Sequence, residues 1–303
     1  MGLTFATDPI AVRTPATSAN LGPGFDALGL ALTLYDDLEA RVTGGGFTVT
    51  VEGEGAGELP GDEEHLVVRA MMATFDELGA RPAGLTVRCV NRIPQARGLG
   101  SSSAAIVGGV QLARGLVTDG MKLIDDEEAL RIAARLEGHP DNVAPCLLGG
   151  FTIAWTEGAG ARAVRLGAHE GVRPKVFVPT ERGFTASARA ALPPLVPHAD
   201  ASFNAGRSAL LTHAITADPR LLFPATEDRL HQGFRAEAMP GTASLVASLR
   251  SVGVAAVVSG AGPTVLALSE VPADFHPGTE WRAETLGVDA HGALVKGSMV
   301  ELA

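Results

Sequence analysis

Cysteine, lysine and long apolar runs are all scarce in this sequence of 303 residues. The two cysteines, Cys89 and Cys146, lie in apolar surroundings without metal-ligand spacing, which argues against a zinc motif and against a disulfide framework. No uninterrupted apolar run approaches the ~20 residues that a membrane-spanning helix needs. Residues 1–9 lack the basic segment and apolar core of a signal peptide. We therefore expect a cytoplasmic protein that does not cross a membrane.

Positive charge is in deficit and is not clustered. The sequence has 34 acidic and 24 basic residues, which gives a formal net charge of -10, and it contains no long basic run. Nucleic acids and anionic membrane surfaces are therefore not expected as partners. With 46% hydrophobic residues the chain can form a large core, and its length favours about two domains.

Strand and helix signals alternate along the sequence. Short apolar or period-two runs bounded by Gly and Pro predict strands, and apolar residues three and four apart predict helices. The predicted strands cover residues 10–14, 48–52, 85–93, 151–155, 254–259 and 265–269. The predicted helices cover residues 65–78, 104–116, 125–137, 203–217 and 242–251, and residues 157–163 form a linker or a hairpin. This alternation predicts an α/β or α+β fold.

A glycine- and serine-rich segment, Ile-Pro-Gln-Ala-Arg-Gly-Leu-Gly-Ser-Ser-Ser-Ala-Ala at residues 93–105, follows the third predicted strand. Gly98 and Gly100 permit close approach of the backbone to a ligand, and a helix that begins at the serines offers free N–H groups and hydroxyls. Phosphate is the natural ligand of such a loop. The segment is not a P-loop, because it lacks the Gly-Lys-Ser/Thr of that motif, and the Gly-x-Gly-x-x-Gly spacing of a dinucleotide site also fails. A serine-capped helix after a glycine turn is the alternative interpretation.

Three other segments strengthen the phosphate-site interpretation. They are Thr-Pro-Ala-Thr-Ser-Ala-Asn-Leu-Gly-Pro-Gly-Phe-Asp at residues 14–26, Glu-Gly-His-Pro-Asp-Asn at 137–142 and Ser-Gly-Ala-Gly-Pro-Thr at 259–264. Each alone is typical of an ordinary turn. However, Glu137 is predicted at a helix C-terminus, where the helix dipole disfavours a carboxylate, and a bound metal ion would relieve that conflict.

The pattern Pro-x-x-x-Gly-Leu-Gly-Ser-Ser at residues 94–102 resembles the central motif of the GHMP kinases, the superfamily of galactokinase, homoserine kinase, mevalonate kinase and phosphomevalonate kinase. With the other three segments it resembles the homoserine kinases most. The resemblance implies an α+β GHMP kinase fold. Residues 1–165 would form an ATP-binding domain like ribosomal protein S5 domain 2, and residues 166–303 a ferredoxin-like domain. It also implies transfer of the γ-phosphate of ATP, with Mg²⁺, to the side-chain hydroxyl of L-homoserine in threonine biosynthesis, by a homodimer.

The resemblance also implies which residues form the site. Those expected to bind the amino acid are Asn20, Asp26, His139, Asn142, Arg189 and Arg235, with Asp26 on the ammonium group and the two arginines on the carboxylate. Those expected to bind ATP are Val67, Pro94, Arg97, Gly98, Leu99, Gly100, Ser101, Ser102 and Ser103. Ser102 and Glu137 are the expected Mg²⁺ ligands, and Asn142, Thr185 and Arg189 the expected catalytic residues. Gly233 replaces a proline that is common in the family, which is expected to loosen the backbone beside Arg235.

These motifs offer no compelling general base. Asn142 cannot take a proton, and Asp141 is interpreted as structural. Direct attack of the hydroxyl with late loss of its proton is therefore the expected route. Two other functions are compatible with the motifs: a GHMP kinase for another small alcohol, which would have no α-amino group for Asp26, and a non-catalytic nucleotide sensor.

Overall fold

The computed structural model of the protein describes residues 3–183 and 189–302. Its strands are β1 (Ile10–Ala19), β2 (Leu28–Thr43), β3 (Gly46–Gly53), β4 (Gly84–Asn91), β5 (Phe151–Glu157), β6 (Gly160–Leu166), β7 (Lys175–Pro179), β8 (Ala256–Val258), β9 (Val265–Ala267), β10 (Trp281–Thr285) and β11 (Leu294–Lys296). Its longer helices are α1 (Leu66–Leu78), α2 (Ser101–Leu116), α3 (Asp126–Glu137), α4 (Pro140–Leu148), α5 (His198–Thr216) and α6 (Pro240–Ser251). Shorter helical turns are Gly120–Leu123, Pro219–Leu221, Leu222–Ala225, Gln232–Arg235 and Met299–Leu302.

The first sheet is organised by its long strand β2. One edge of β2 pairs antiparallel with β1, and the other edge pairs first with β5 and then with β4. β3 runs parallel to β4, and β5 and β6 form a hairpin, which decides between the two interpretations of residues 157–163. β11, close to the end of the chain, pairs with β1. The chain thus returns to its first sheet after the second is complete, and the predicted domain boundary between residues 165 and 166 stays a prediction.

The second sheet has the strand order β10-β7-β9-β8, with every pair antiparallel. Numbered along the chain this order is 4-1-3-2, that of a ferredoxin-like sheet. The first crossover, from β7 to β8, contains α5 and α6. The second, over residues 268–280, contains no helix. The predicted α+β class is confirmed.

The largest buried apolar cluster lies between the first sheet and the helices α2, α3 and α4. It continues into the second half of the chain through Leu211, Ile215, Val257 and Leu266. The two halves therefore share one core, which fixes the loops of both around a common space. Within the described part of the chain, no helix combines the length and apolarity that are needed to cross a bilayer.

The segment between α3 and α4 differs from its prediction. Asp125 caps α3, since its carboxylate accepts a bond of 2.8 Å from the N–H of Glu128, and Gly138 ends the helix with a φ of 93°. Both agree with the predicted bounds. Pro140, however, also begins a helix of nine residues, although the sequence of this segment is typical of a turn. The reason is that proline both ends a preceding helix and suits the first position of a new one.

Candidate active site

Four loops that are far apart in the sequence meet at one cavity of about 460 Å³. They are the turn after β1, the loop between β4 and α2, the junction of α3 with α4, and the loop between β8 and β9. These are the four segments that the sequence singled out. The structure therefore brings the four motifs together around one cavity.

The Ser259 hydroxyl joins the loop between β8 and β9 to the glycine loop and to the end of β1. It lies 2.6 Å from the carbonyl oxygen of Gly98 and 2.8 Å from the hydroxyl of Ser18. A hydroxyl has one proton, so Ser259 donates to Gly98 and accepts from Ser18. The Gly260 N–H adds a bond of 3.0 Å to the Ala19 carbonyl. The glycine loop is thus fixed from behind by residues of both halves of the chain.

Glycine is required at two positions of the loop before α2. Gly98 and Gly100 have φ values of 73° and 72°, in the region that side chains disfavour. A Cβ at Gly98 would collide with the carbonyl oxygen of Ser259, and one at Gly100 with the Thr17 hydroxyl. Gly100 is also the N-cap of α2 and has no side chain to cap it. The first amides of α2 are therefore available to an anion at the positive end of the helix dipole.

Glu137 lies opposite this helix N-terminus. Its Oε1 accepts bonds from the hydroxyls of Ser102, at 2.7 Å, and Ser103, at 2.8 Å. The predicted pairing of Ser102 with Glu137 is therefore present, and Ser103 joins it. These bonds offset the unfavourable position of a carboxylate at the C-terminus of α3.

Asp26 and Arg189 lie at the other end of the cavity and bind each other. Two parallel bonds join them: Nη1 to Oδ2 at 3.0 Å and Nη2 to Oδ1 at 2.9 Å. The hydrogen bond to Asp26 is the main cause of the raised pKa of Arg189. Asn20 positions Asp26, because its Oδ1 accepts the Asp26 N–H at 2.9 Å while its Nδ2 donates to the Gly260 carbonyl at 2.9 Å.

Arg235 lies beside this pair and is buried. Its Nη1 is 3.1 Å from Nδ1 of His231, whose Nε2 is 2.7 Å from the carbonyl oxygen of Gly22. Arg235 can only donate, so His231 is the tautomer that donates from Nε2 to Gly22. Burial and the nearby charge of Arg189 lower the pKa of Arg235. The side chain of Gln232 accepts the Val258 N–H at 2.6 Å, so the helical turn that contains Arg235 is held despite Gly233.

His139 and Asn142 line the cavity between its two ends. His139 Nδ1 lies 2.6 Å from Asp141 Oδ1, and this bond is the main cause of the raised pKa of His139. The Thr17 hydroxyl donates to Asn142 Oδ1 at 2.8 Å. The Asn142 oxygen is therefore engaged from behind by β1.

Several known proteins are similar to this chain over most of its length. Residues 65–150 match the GHMP kinases N terminal domain family. The chain is 53% identical to a homoserine kinase of Streptomyces coelicolor, over 97% of this chain and 96% of that protein. It is 52% identical to a homoserine kinase of Clavibacter michiganensis, over 95% and 94%. The chain belongs to the homoserine kinase family. A crystal structure of homoserine kinase from Cytophaga hutchinsonii, 24% identical over 98% of this chain and 100% of that one, shares the fold with a TM-score of 0.81.

Most of the residues assigned from the homoserine kinase family line the cavity. Pro94 and Ser103 are buried instead of lining it, and Thr185 lies outside the described residues. Arg97 donates to the backbone carbonyls of Gln95, Pro179 and Thr180, which ties the glycine loop to the end of β7. The role of each residue toward ATP or an amino acid stays a prediction.

Several residues that shape the site were not identified from the sequence. Thr17 and Ser18 lie within the motif at residues 14–26 but show no distinctive pattern. His231 precedes the segment that was singled out around Arg235. Asp36 follows an apolar run and precedes Asp37, and its Oδ1 accepts the N–H groups of Arg92 and Ile93, at 2.6 and 2.9 Å. Only the tertiary contacts show what these four side chains do.

The cavity lining also includes four apolar residues, Leu38, Leu59, Pro60 and Val67, and the polar residues Asp36, Glu64, Asn91 and Gln95. His65 caps α1, since its Nδ1 accepts the Val67 N–H at 3.3 Å, and burial lowers its pKa. Apolar side chains and a few polar groups beside a phosphate-binding loop suit a nucleotide base. This placement agrees with the expected role of Val67.

Proposed function

We propose that the protein transfers the γ-phosphate of ATP to the side-chain hydroxyl of L-homoserine and forms O-phospho-L-homoserine for threonine synthesis. The observation that supports this most is the arrangement of a single cavity. One end has the glycine loop and the open N-terminus of α2, and the other has Asp26, Arg189 and Arg235. Phosphoryl transfer needs its two substrates positioned and their charge neutralised more than it needs covalent catalysis.

The phosphate end would bind ATP through the first amides of α2 and the hydroxyl of Ser101. Ser102 and Glu137 would hold Mg²⁺, which supplies positive charge to the phosphate oxygens. The hydroxyl oxygen of Ser102 and the carboxylate oxygen of Glu137 are 2.7 Å apart, and both are hard ligands of the kind that Mg²⁺ prefers. Mg²⁺ keeps several waters and takes one or two carboxylates together with substrate phosphates, so this small donor set fits it. No group of three acidic, His or Cys residues that could hold a metal occurs within residues 3–183 and 189–302.

The acceptor end would bind the zwitterionic part of the amino acid. Asp26 would take its ammonium group and the two arginines its carboxylate, with His139 and Asn142 beside the hydroxyl. The hydroxyl oxygen would then attack the γ-phosphorus in line as the bond to the ADP oxygen breaks, and the hydroxyl proton would pass to solvent late in the step. Asp141 is already bonded to His139, which supports a structural role for it rather than that of a general base.

A homodimer in the cytoplasm is the assembly and location that we infer from the family. Sedimentation velocity of the purified protein tests the assembly, since a single species with the mass of one chain would contradict it.

A coupled assay of ADP release tests the proposed function. With Mg²⁺ and ATP the protein should turn over homoserine, and mevalonate, galactose and threonine should give far slower release. Turnover of another acceptor without turnover of homoserine would show that the substrate of the protein is a different small alcohol. ATP binding without any turnover would indicate a nucleotide sensor. Glu137→Gln is the control, and it should lower turnover by on the order of 10²-fold while the fold is retained.

A further inference from the structure

Two of the charged side chains at the acceptor end, Asp26 and Arg189, form an ion pair with each other. The Asp26–Arg189 pair is bidentate, with side chains 37% and 48% exposed. Both charges were expected to contact the amino acid. In the structure each occupies the position that the opposite charge of the substrate would take.

We propose that the Asp26–Arg189 ion pair is a built-in competitor of the acceptor, and that it selects zwitterions. This inference rests on the proposed function and deepens it. A zwitterion splits one ion pair and forms two, since its ammonium group replaces Arg189 on Asp26 and its carboxylate replaces Asp26 on Arg189. A compound with only one of these charges splits the pair, forms a single new one, and leaves a charged side chain without its partner.

Asp26 is the fixed member of the pair. Its backbone has a φ of 55°, a conformation that is costly for a residue with a side chain, and its N–H is bonded to Asn20. Asn20 is itself tied to Gly260 and is buried. Arg189 has a long side chain that is half exposed, so it is the member that can move when the pair separates.

A second arginine, Arg235, offers the substrate carboxylate another positive charge when that carboxylate replaces Asp26 on Arg189. The guanidinium groups of Arg189 and Arg235 lie 5.8 and 5.5 Å from the centre of the Phe25 ring. Both residues also line the same cavity, and the charge of Arg189 disfavours the charged form of Arg235. A carboxylate between the two arginines would relieve this repulsion. The ammonium group then takes over the place of Arg189 on Asp26.

The test uses two acceptors that each have one of the charges. 4-Hydroxybutanoate has the carboxylate but no ammonium group, and 3-aminopropan-1-ol has the ammonium group but no carboxylate. Their dissociation constants are measured by calorimetry for the full chain and for Asp26→Asn, Arg189→Gln and the double variant. Glu227→Gln is the matched control, because the Glu227–Arg207 pair has similar exposure (39% and 30%) and Glu227 does not line the cavity.

Asp26→Asn releases Arg189, so it should tighten the binding of 4-hydroxybutanoate by roughly fivefold while it weakens the binding of homoserine. Removing the negative charge of Asp26 could also help a carboxylate by reducing repulsion alone. That effect would be as large in the Arg189→Gln background, whereas release of Arg189 cannot occur there. A gain that is clearly smaller in that background supports the exchange, and equal gains in both backgrounds would overturn it.

Arg189→Gln should conversely tighten the binding of 3-aminopropan-1-ol. Glu227→Gln should leave the dissociation constants of both ligands unchanged. A loss of amine binding in Arg189→Gln would contradict the proposal. The inference and the proposed function fail in different ways. If the unaltered protein neither binds nor phosphorylates homoserine, the function is wrong. If it does both and the two gains are equal, only the competing ion pair is wrong.

Discussion

Asp36 and Asp37 are consecutive residues of β2, and we expect them to change the stability of the protein with pH in opposite directions. Asp36 is 4% exposed, and burial raises its pKa to about 6, although the N–H groups of Arg92 and Ile93 partly offset this. Burial also acts on Asp37, but its bonds to Arg13 and Arg92 outweigh it and lower the pKa of Asp37. One carboxyl therefore resists ionisation in the folded state, and the other favours it.

The size of the Asp36 effect follows from its pKa. A rise from 3.8 to about 6 corresponds to about 3 kcal/mol, since one pKa unit is ~1.4 kcal/mol. The folded state binds this proton more tightly than the unfolded state, so the contribution of Asp36 to stability falls as pH rises from about 4 to about 6. Asn at this position keeps an oxygen for both N–H groups and cannot ionise. The free energy of unfolding of Asp36→Asn, relative to that of the unaltered protein, should rise by about 3 kcal/mol between about pH 4 and about pH 8.

Urea unfolding of the two proteins across this pH range measures the difference, and Asp37→Asn is the adjacent control. The lowered pKa of Asp37 gives a stabilisation that is present above the unfolded pKa and is lost as the pH falls through the folded pKa. Asp37→Asn should therefore cost most at about pH 8 and least in acid. A difference between Asp36→Asn and the unaltered protein that is constant with pH would refute the reasoning.

Three further predictions concern the cavity. Gly98→Ala should destabilise the fold by on the order of 1–3 kcal/mol and weaken ATP binding, because of its φ of 73° and its contact with Ser259; unchanged thermal unfolding and ATP affinity would contradict this. Ser102→Ala and Glu137→Gln should each lower kcat by on the order of 10²-fold, and the loss should be partly recovered at high Mg²⁺ concentration; a kcat that is unchanged would remove both from the metal site. Asp141→Asn should leave kcat for homoserine within a few-fold, whereas a steep loss with an intact fold and KM would make Asp141 a general base.

The phosphate end of the site could be predicted from the sequence because its chemistry is local. Gly98, Gly100 and the serines lie within a few residues of each other, and their conformational requirements are properties of glycine and of a helix N-terminus. Glu137 was identified for a related reason, since a carboxylate at a helix C-terminus conflicts with the helix dipole. Its partner Ser102 came from the family resemblance, and the bond of 2.7 Å agrees with it.

Other parts of the structure could not be read from local patterns. The strands β10 and β11 were not predicted, because pairing with β7 and β1 rather than an apolar period determines them. β1 extends past its predicted end at residue 14, since the register shift between Pro15 and Ala16 accommodates a proline that a regular ladder would exclude. The ion pair of Asp26 with Arg189 joins residues 163 positions apart, and no local signal foretells it.

The loop between β8 and β9 shows why the site needs both halves of the chain. By itself Ser-Gly-Ala-Gly-Pro-Thr is typical of a tight turn, yet Ser259 supplies the donor for the Gly98 carbonyl. The carbonyls of Pro179 and Thr180 likewise accept from Arg97. Without these partners the glycine loop would lose the contacts that hold its left-handed backbone, and a strained conformation persists only where its surroundings determine it. The nucleotide loop lies in the first half of the sequence, but its geometry depends on the second half, which also supplies Arg189 and Arg235 for the acceptor.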